Sequence, residues 1–452
     1  MKTIINQTME KLKSKLERFF EGEGVNIEYA EAELGKEISA TVLELLSGYY
    51  EQADQELVEN KAARKAAGLI VERRGEKRSV FTLLGQLEYR RTYYRMRDGS
   101  YCHPVDMLSG IGPNQKVSGG VSLALVEASR TMSYAKSSEV VTGGQVSRQT
   151  VLRKIRGSIP KREEIGHRER VPVLHIDADE DHVHLQNGKS GIVPLVSVYE
   201  GIRRQGKRGV CENIFHYGSF GQSTEEFWEN VLSQMEDRYD LEHTRIYLHG
   251  DGAAWIKQGL EWLPNSVFVL DRYHKNKALK QLVSGIDRTS GSQYERLARQ
   301  ALAAGNRERL RMVRQRLLER WPHREKSIEE AFGYLDSNFD AISIFYSDPE
   351  AANGGATEPH VSHILSARLS SRPMGWSQKT LERFVPILAA GSAVFPGAHG
   401  QESHTIGRAE ATHAKRKVIP FSLGLQHPDL CVSLPGRMGK VTPLFRALRP
   451  FE

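Results

Sequence analysis

Apolar residues recur at helical spacing through residues 1–68, alternate after Gly68, return to helical spacing over 119–157, and alternate again from Val171. Leu12, Leu16, Phe19 and Phe20 form one stripe, and Val42, Leu43, Leu45 and Leu46 another, so 1–68 is predicted as an N-terminal helical region. Residues 69–118 are predicted as a small β-rich region. There Leu69–Glu72, Ser79–Thr82 and Leu87–Tyr94 carry β-branched and aromatic residues between glycine turns. Arg90, Arg91, Arg95 and Arg97 interleave with Tyr89, Tyr93 and Tyr94, which suits either a solvated sheet face or a surface lying on phosphates. Over 119–157 the pattern predicts three short helices, Val121–Ser129, Tyr134–Val141 and Ser147–Arg156. Ser147 is the expected N-cap of the third, and Val151, Leu152 and Ile155 its buried stripe. That leaves Arg148, Gln149, Arg153, Lys154 and Arg156 outward. A polar, basic last helix in a three-helix unit suits a helix-turn-helix-like DNA-binding region, although many such units bind nothing.

The charged stretch 158–170 reads as a linker. Beyond it, strands are predicted at Val171–Ile176 running on through Val183–Leu185, at Ile192–Tyr199 and at Asn213–Tyr217. A helix over Ser223–Met235, a strand Arg245–His249, a helix Ala253–Leu263 and a strand Ser266–Leu270 follow. Residues 272–350 form an all-helical block, 351–395 rejoin the α/β core begun at 171–271, and 396–452 are a tail. The expected fold class is mixed α/β, opening on three antiparallel strands.

Composition narrows the class. Of 452 residues, 39% are hydrophobic and 26% charged, which is globular and excludes wholesale disorder. The net charge of +7 is only a weak pointer to nucleic acid at this length. Cys102, Cys211 and Cys431 are widely separated, which excludes a disulfide scaffold or cysteine zinc finger and fits a reducing cytosol. The charged N-terminus lacks a signal-peptide core, and the longest apolar stretch, Phe384 to Phe395, has about 12 residues against the roughly 20 of a membrane span. A cytoplasmic chain with no membrane partner is expected.

Acidic residues fall at telling places. Asp177, Asp179 and Asp181 lie in and just after an apolar strand, Asp251 follows strand 245–249 between two glycines, and Glu358 follows a flexible turn at a helix start. Carboxylates at the carboxyl ends of strands in an open α/β sheet sit where ligands bind. Singly, each also reads as a solvated turn or a helix cap. Together they offer the oxygen ligands that two hard divalent cations require. The DxDxD run fails as an EF-hand, because His182 and Gly188 stand where that loop needs Gly and Glu. Zinc is a further alternative, on the pairs His182/His184 and His360/His363.

Three stretches are familiar. DGAAWIKQGLEWLPNSVFVLDRYHKNKAL resembles the segment of bacterial and Mutator-like DDE transposases that carries the second catalytic Asp and a later Asp-x-x-His, here Asp271 to His274. HIDADEDHVHLQ and TEPHVSHILSARLSSRPMGWS resemble the narrower Lre-type insertion-sequence transposases. The resemblance spans roughly residues 80–390. It implies an RNase H-like catalytic domain whose helical insertion precedes the catalytic Glu, behind helical and small β N-terminal DNA-binding regions. Carried over, Asp179, Asp251 and Glu358 are the metal-binding and catalytic triad. Asp179 is preferred to Asp177 because family strands place apolar residues four and six positions after the Asp, here Val183 and Leu185. Asp271, His274 and Asp177 are auxiliary, and Arg368, Arg372 and Trp376 are candidates to hold the cleaved strand or stack on a base.

The resemblance implies Mg²⁺ in a two-metal site, with Mn²⁺ able to substitute. The partners implied are double-stranded DNA, both element ends and target, and a second copy of the chain in a homodimer or higher homo-oligomer. A bacterial, nucleoid-associated location goes with that reading. A structure-selective nuclease, a catalytically silent regulator derived from a transposase, and a zinc hydrolase are the rival functions.

Overall fold

The computed structural model describes residues 2–21, 27–161, 168–206, 208–355 and 357–394. The expected tail 396–452, with Cys431, and residues 162–167 of the expected linker lie outside the described residues. The chain divides into two compact units, one holding Met1–Ala128 and Tyr134–Val151, the other Ser129–Ser133 and Leu152–Val394.

In the first unit, α1 (Lys2–Phe20), α2 (Ile27–Glu59) and α3 (Lys61–Ala67) precede a hairpin of β1 (Ile70–Thr82) and β2 (Gly85–Arg95), with β3 (Tyr101–Cys102) on its edge. Leu87, Tyr89 and Val105 meet Leu43, Leu46 and Tyr50 of α2 in one apolar cluster, and Leu57, Val58, Leu69 and Tyr94 form another. Two buried carboxylates lock the hairpin. Asp54 accepts from the backbone N–H (2.9 Å) and hydroxyl (2.6 Å) of Thr92. Asp106, from α4 (Pro104–Leu108), accepts from Tyr89 Oη at 2.8 Å and pairs with Arg91. The rest of the arginine row makes surface contacts: Arg95 pairs with Glu72, Arg97 donates to the Lys65 carbonyl, and Arg90 donates to that of Gly75. Arg90, Arg95 and Arg97 stay exposed while Tyr89 and Tyr94 are buried, which is the solvated sheet face that the pattern allows; Arg91 is half-buried against Asp106.

Three helices follow, α5 (Gly119–Ser129), α6 (Tyr134–Thr142) and α7 (Arg148–Gly157), as the periodicity predicts. Val121, Leu125, Val126, Val151 and Ile155 are fully buried, and Ser147 caps α7 by accepting from Thr150 N at 3.2 Å. The boundary between the two units crosses α7 after Val151.

The second unit is built on a mixed sheet. After β4 (Ile159–Pro160) come β5 (Val173–His184), β6 (Ser190–Tyr199), β7 (Gly201–Gln205), β8 (Arg208–Glu212) and β9 (Phe215–Gly218). Then α8 (Thr224–Arg238), β10 (Arg245–Gly250), α9 (Ala254–Gln258) and β11 (Ser266–Leu270) complete it. The five-stranded order is β11-β10-β5-β6-β9, with β5, β10 and β11 mutually parallel and β6 antiparallel to both of its neighbours. Alternation sorts the two faces. Leu174, Ile176 and Ala178 of β5, with Val196, Val198, Ile246 and Leu248, pack on Phe227, Trp228, Val231 and Met235 of α8. The same core extends into five helices, α10 (Arg272–Leu282), α11 (Arg288–Ala303), α12 (Arg307–Arg320), α13 (Glu325–Ser337) and α14 (Phe339–Ser347). The opposite face is lined by His175, Asp177, Asp179, Asp181, Ser197, Tyr199, His216, Tyr247 and His249, all on one side by register. Over it run α15 (Thr357–Val361), a single π turn (Ser362–Ser366), α16 (Ala367–Leu369) and α17 (Gln378–Ala390), and β12 (Ala393–Val394) then pairs with β4.

The departures from expectation have local causes. The β7–β8 hairpin escaped the pattern because GIRRQGKRGVCE has too few apolar residues to show alternation. Helix 253–263 shortens to α9 plus a 3₁₀ turn over Gly259–Glu261. Gly259 there sits so close to the Trp228 ring that a Cβ would come within 2.6 Å of it. Among the described residues no helix is long and apolar enough to cross a membrane.

Candidate functional site

The site forms where the parallel strands β10 and β11 end alongside the middle of β5. β5 and β10 pair so that His249 faces Asp177. Extending that register by two residues sets Asp251 beside Asp179. β10 and β11 pair Gly250 with Leu270, so the next residues along are Asp251 and Asp271. Three carboxylates are thus carried side by side on adjacent parallel strands.

Their environments differ. Asp179 is half-buried, and burial pushes its carboxyl up to about 6, with the Asp251 charge adding to the rise. Asp251 caps its own turn, accepting from Ala253 N at 2.8 Å. Gly252 there has φ +93°, and a Cβ would come within 2.9 Å of Asn338 Oδ1. Helix α13 buttresses this loop: Tyr334 Oη donates to the Asp251 carbonyl at 2.6 Å, and Lys257 Nζ reaches Asn338 Oδ1 at 3.0 Å. The helical block therefore supports the Asp251 turn directly.

Asp271 is buried and spent on His274. Its Oδ1 accepts from His274 N (2.8 Å), and its Oδ2 lies 2.7 Å from His274 Nδ1. That bond raises the imidazole pKa, and the charges of Asp271, Asp251 and Asp179 act in the same direction. Since Nδ1 is engaged, Nε2 is the nitrogen left to face a ligand.

Asp177 sits deeper, 2% exposed, and accepts from Tyr199 Oη at 3.2 Å to each carboxylate oxygen. His360 Nδ1 lies 3.3 Å from Asp177 Oδ2. Next to it His175 Nδ1 and His249 Nε2 are 3.2 Å apart. Burial lowers both imidazoles, His175 to about 4, which keeps the pair neutral. Glu358 lies within α15, but its side chain is outside the described residues.

Several expectations are corrected. Arg368 is 7% exposed: its Nε donates to the Ser129 carbonyl at 2.6 Å and its guanidinium stacks on Trp376 and Phe384. Trp376, 5% exposed, donates Nε1 to the Leu369 carbonyl. Both are packing residues in this fold, because the segment after α16 turns back onto β5 and buries them; Arg372 is exposed. Arg156, expected outward on α7, instead donates to Ser377 Oγ and Thr380 Oγ1. Arg148, Gln149 and Arg153 are exposed, while Lys154 is half-buried and its pKa is lowered by burial. The zinc tetrad does not assemble: His182 and His184 point from the sheet face opposite to His360, and His363 is exposed. Among the described residues no three His, Cys, Asp or Glu side chains stand at metal-holding separation.

Tyr199, Tyr334, Asn338, Ser366 and Ser370 contact this site or its supports and, Tyr199 apart, carried no sequence signal, being single polar residues in otherwise ordinary elements. Only the spacing of Tyr199, on the same face as Ser197, hinted at its direction.

The geometry defines a mixed α/β protein with carboxylates side by side where β10 and β11 end next to β5. The chain belongs to the UPF0236 family, an uncharacterised protein family whose model matches residues 20–402. A UPF0236 protein of Caldanaerobacter subterraneus subsp. tengcongensis is 34% identical over 95% of this chain and 92% of its own length. Another from the same organism is 35% identical over 89% of this chain and 86% of its own. The "UPF0236 protein in vanSb 3'region" of Streptococcus gallolyticus is 25% identical over 80% of this chain and 82% of its own.

Proposed function

We propose that this chain is a DDE-type transposase of an insertion sequence, acting through an RNase H-like domain. The observation that carries the reading is the juxtaposition of Asp179, Asp251 and the Asp271–His274 pair on adjacent parallel strands, with the helix that contains Glu358 packed on β5. Three antiparallel strands extended by two parallel ones, with a helical block before the Glu358 helix, supports the fold that the resemblance implies. The name of the 34%-identical relative joins eleven locus labels of one genome, which supports a gene present in many copies.

The donor chemistry fits Mg²⁺, or Mn²⁺ in its place, because the converging side chains of Asp179 and Asp251 are hard oxygen donors. When bound, such ions supply Lewis acidity that activates a water or a 3′-hydroxyl and stabilises a leaving oxygen in phosphodiester chemistry. The protein's share is orientation. Asp179 and Asp251, with Glu358, hold the ions. Asp271 fixes His274 with Nε2 toward the site and favours its charged form, suited to a phosphate oxygen. The exposed Arg148, Gln149 and Arg153 of α7, with Lys154 beside them, are the surface for element ends. Synapsis of two ends calls for a homodimer or higher homo-oligomer.

The test uses purified protein and a plasmid carrying the DNA that flanks the gene, with Mg²⁺ or EDTA, and sequences the products. Mg²⁺-dependent cutting at the ends with joining elsewhere, lost in Asp251→Ala while end binding persists, is the expected result. Cutting without end specificity or joining points to a structure-selective nuclease. End binding without cutting points to a DNA-binding regulator.

A further inference from the structure

Asp177, Asp179 and Asp181 share one face of β5, and the structure engages them differently. Asp179 faces Asp251, whereas each neighbour touches the helical segment that carries Glu358. Below Asp179, Tyr199 Oη donates to Asp177 and accepts from Gly355 N at 3.0 Å. His360, two residues after Glu358, sets its Nδ1 3.3 Å from the same Asp177 carboxylate. Gly354 lies against the His175–His249 pair, where a Cβ would come within 2.3 Å of His249 Nε2. Above Asp179, Asp181 is 7% exposed, and its Oδ1 accepts from Ser366 Oγ (3.1 Å) and Ser370 Oγ (2.8 Å) at the far end of the π turn. Glu358 is therefore bracketed: Gly355 and His360 are tied to the Asp177 level, Ser366 and Ser370 to Asp181.

We propose that Asp177 and Asp181 are positioning residues that clamp the segment from Gly355 to Ser370, which carries Glu358, onto β5 at two levels on either side of Asp179. The DxDxD run is then one metal-facing carboxylate between two docking carboxylates. A short helix with a π turn has little stability of its own, so tertiary contacts must hold it. Asp181 Oδ2 is buried without a hydrogen-bond partner among the described residues, and Asp177 is wholly withdrawn from solvent. What the contacts show is two fixed acceptors, Asp181 Oδ1 for Ser366 and Ser370 and the Asp177 carboxylate for Tyr199. The docking part rests on contacts alone, while its purpose rests on the function proposed above.

The two parts separate experimentally. Hydrogen–deuterium exchange on the full chain, without metal or DNA, reads docking. Asp181→Ala and the pair Ser366→Ala/Ser370→Ala are expected to speed amide exchange at least tenfold within 357–370, with the sheet strands unchanged. Asp181→Asn keeps an oxygen acceptor for both serines and is expected to restore protection, and Asp179→Asn to leave this segment as it was. Exchange within 357–370 that is unchanged in Asp181→Ala overturns the docking role, whatever the enzyme does. Mn²⁺ titration followed calorimetrically reads the purpose. Asp179→Asn is expected to lose binding, Asp181→Ala to weaken it about 10–100-fold as loss of an outer-shell support does, and Asp181→Asn to recover most of it. Asp181→Asn as deficient as Asp179→Asn makes Asp181 a ligand and overturns the assignment. If the unmodified chain binds no Mn²⁺ while the exchange pattern holds, the clamp stands as a structural device and the transposase reading falls.

Discussion

Replacing Asp179 by Asn should make the metal-free protein more stable. The Asp179 carboxyl lies at about 6 in the folded chain, chiefly because it is withdrawn from water and then because Asp251 is negative beside it. An unperturbed Asp titrates near 3.9, so the shift of about 2 units corresponds to a ceiling of about 3 kcal/mol against the ionised form. Asp179 is only half-buried, and solvent screening reduces the expected gain to about 1–2 kcal/mol. Because this carboxyl is raised on folding, the native state holds its proton where the unfolded chain has lost it. Stability of the unmodified protein therefore falls as pH rises from about 4 to about 6 and is flat above that for this group. The Asn side chain pays no such penalty. Its advantage should be full at pH 7.5, shrink as pH falls through 6, and vanish below about 4. Calorimetric unfolding in EDTA over that range is the assay, and for a unit of this size about 1–2 kcal/mol moves the Tm upward by about 2–8 °C. Added Mn²⁺ should then reverse the order, raising the Tm of the unmodified chain and leaving Asp179→Asn where it was. An Asn variant less stable at pH 7.5, or one whose gain does not change with pH, refutes the argument that a desolvated, repelled carboxylate sits there.

Three further outcomes follow from the same structure. Arg148→Ala with Arg153→Ala, both on exposed positions of α7, should weaken binding to end DNA and reduce the slope of log K against log salt by about 2, measured by fluorescence anisotropy; an unchanged slope removes these residues from the interface. Trp376→Ala should lower unfolding stability by about 3–5 kcal/mol, since the indole is buried beside Phe384, while DNA affinity of the folded variant stays within twofold. Gly354→Ala should push the loop off the His175–His249 pair, which a side chain cannot share, and depress strand cleavage more than tenfold while DNA binding is retained; near-normal cleavage would show that this close approach is dispensable.

Much of the second unit was legible because its strands are long, apolar and alternating. Strand Ser266–Leu270 falls where the pattern set it, and Ser223 and Asp271 cap α8 and α10 as short polar residues before apolar runs do. The apolar stretch near 384–395 proves to be the buried face of α17, with Phe384, Val385, Ile387 and Leu388 inside. The arginine-rich positions were poorly legible. Arg91, Arg156 and Arg368 have the same one-letter signal as Arg148 and Arg153, yet the first three find buried acceptors contributed by distant parts of the chain.

By itself the sequence determined most of the longer helices and strands, that Asp177, Asp179 and Asp181 share a face, and that Asp251 and Asp271 each follow a strand. Those follow from periodicity and capping, which act over a few residues. Only the tertiary structure decided which carboxylate stands beside Asp251, that Asp271 is spent on His274, and that Asp177 and Asp181 hold another element. The reason is that strand register and helix docking join residues tens to nearly two hundred positions apart, such as Asp181 and Ser370, and local pattern carries no record of such partners.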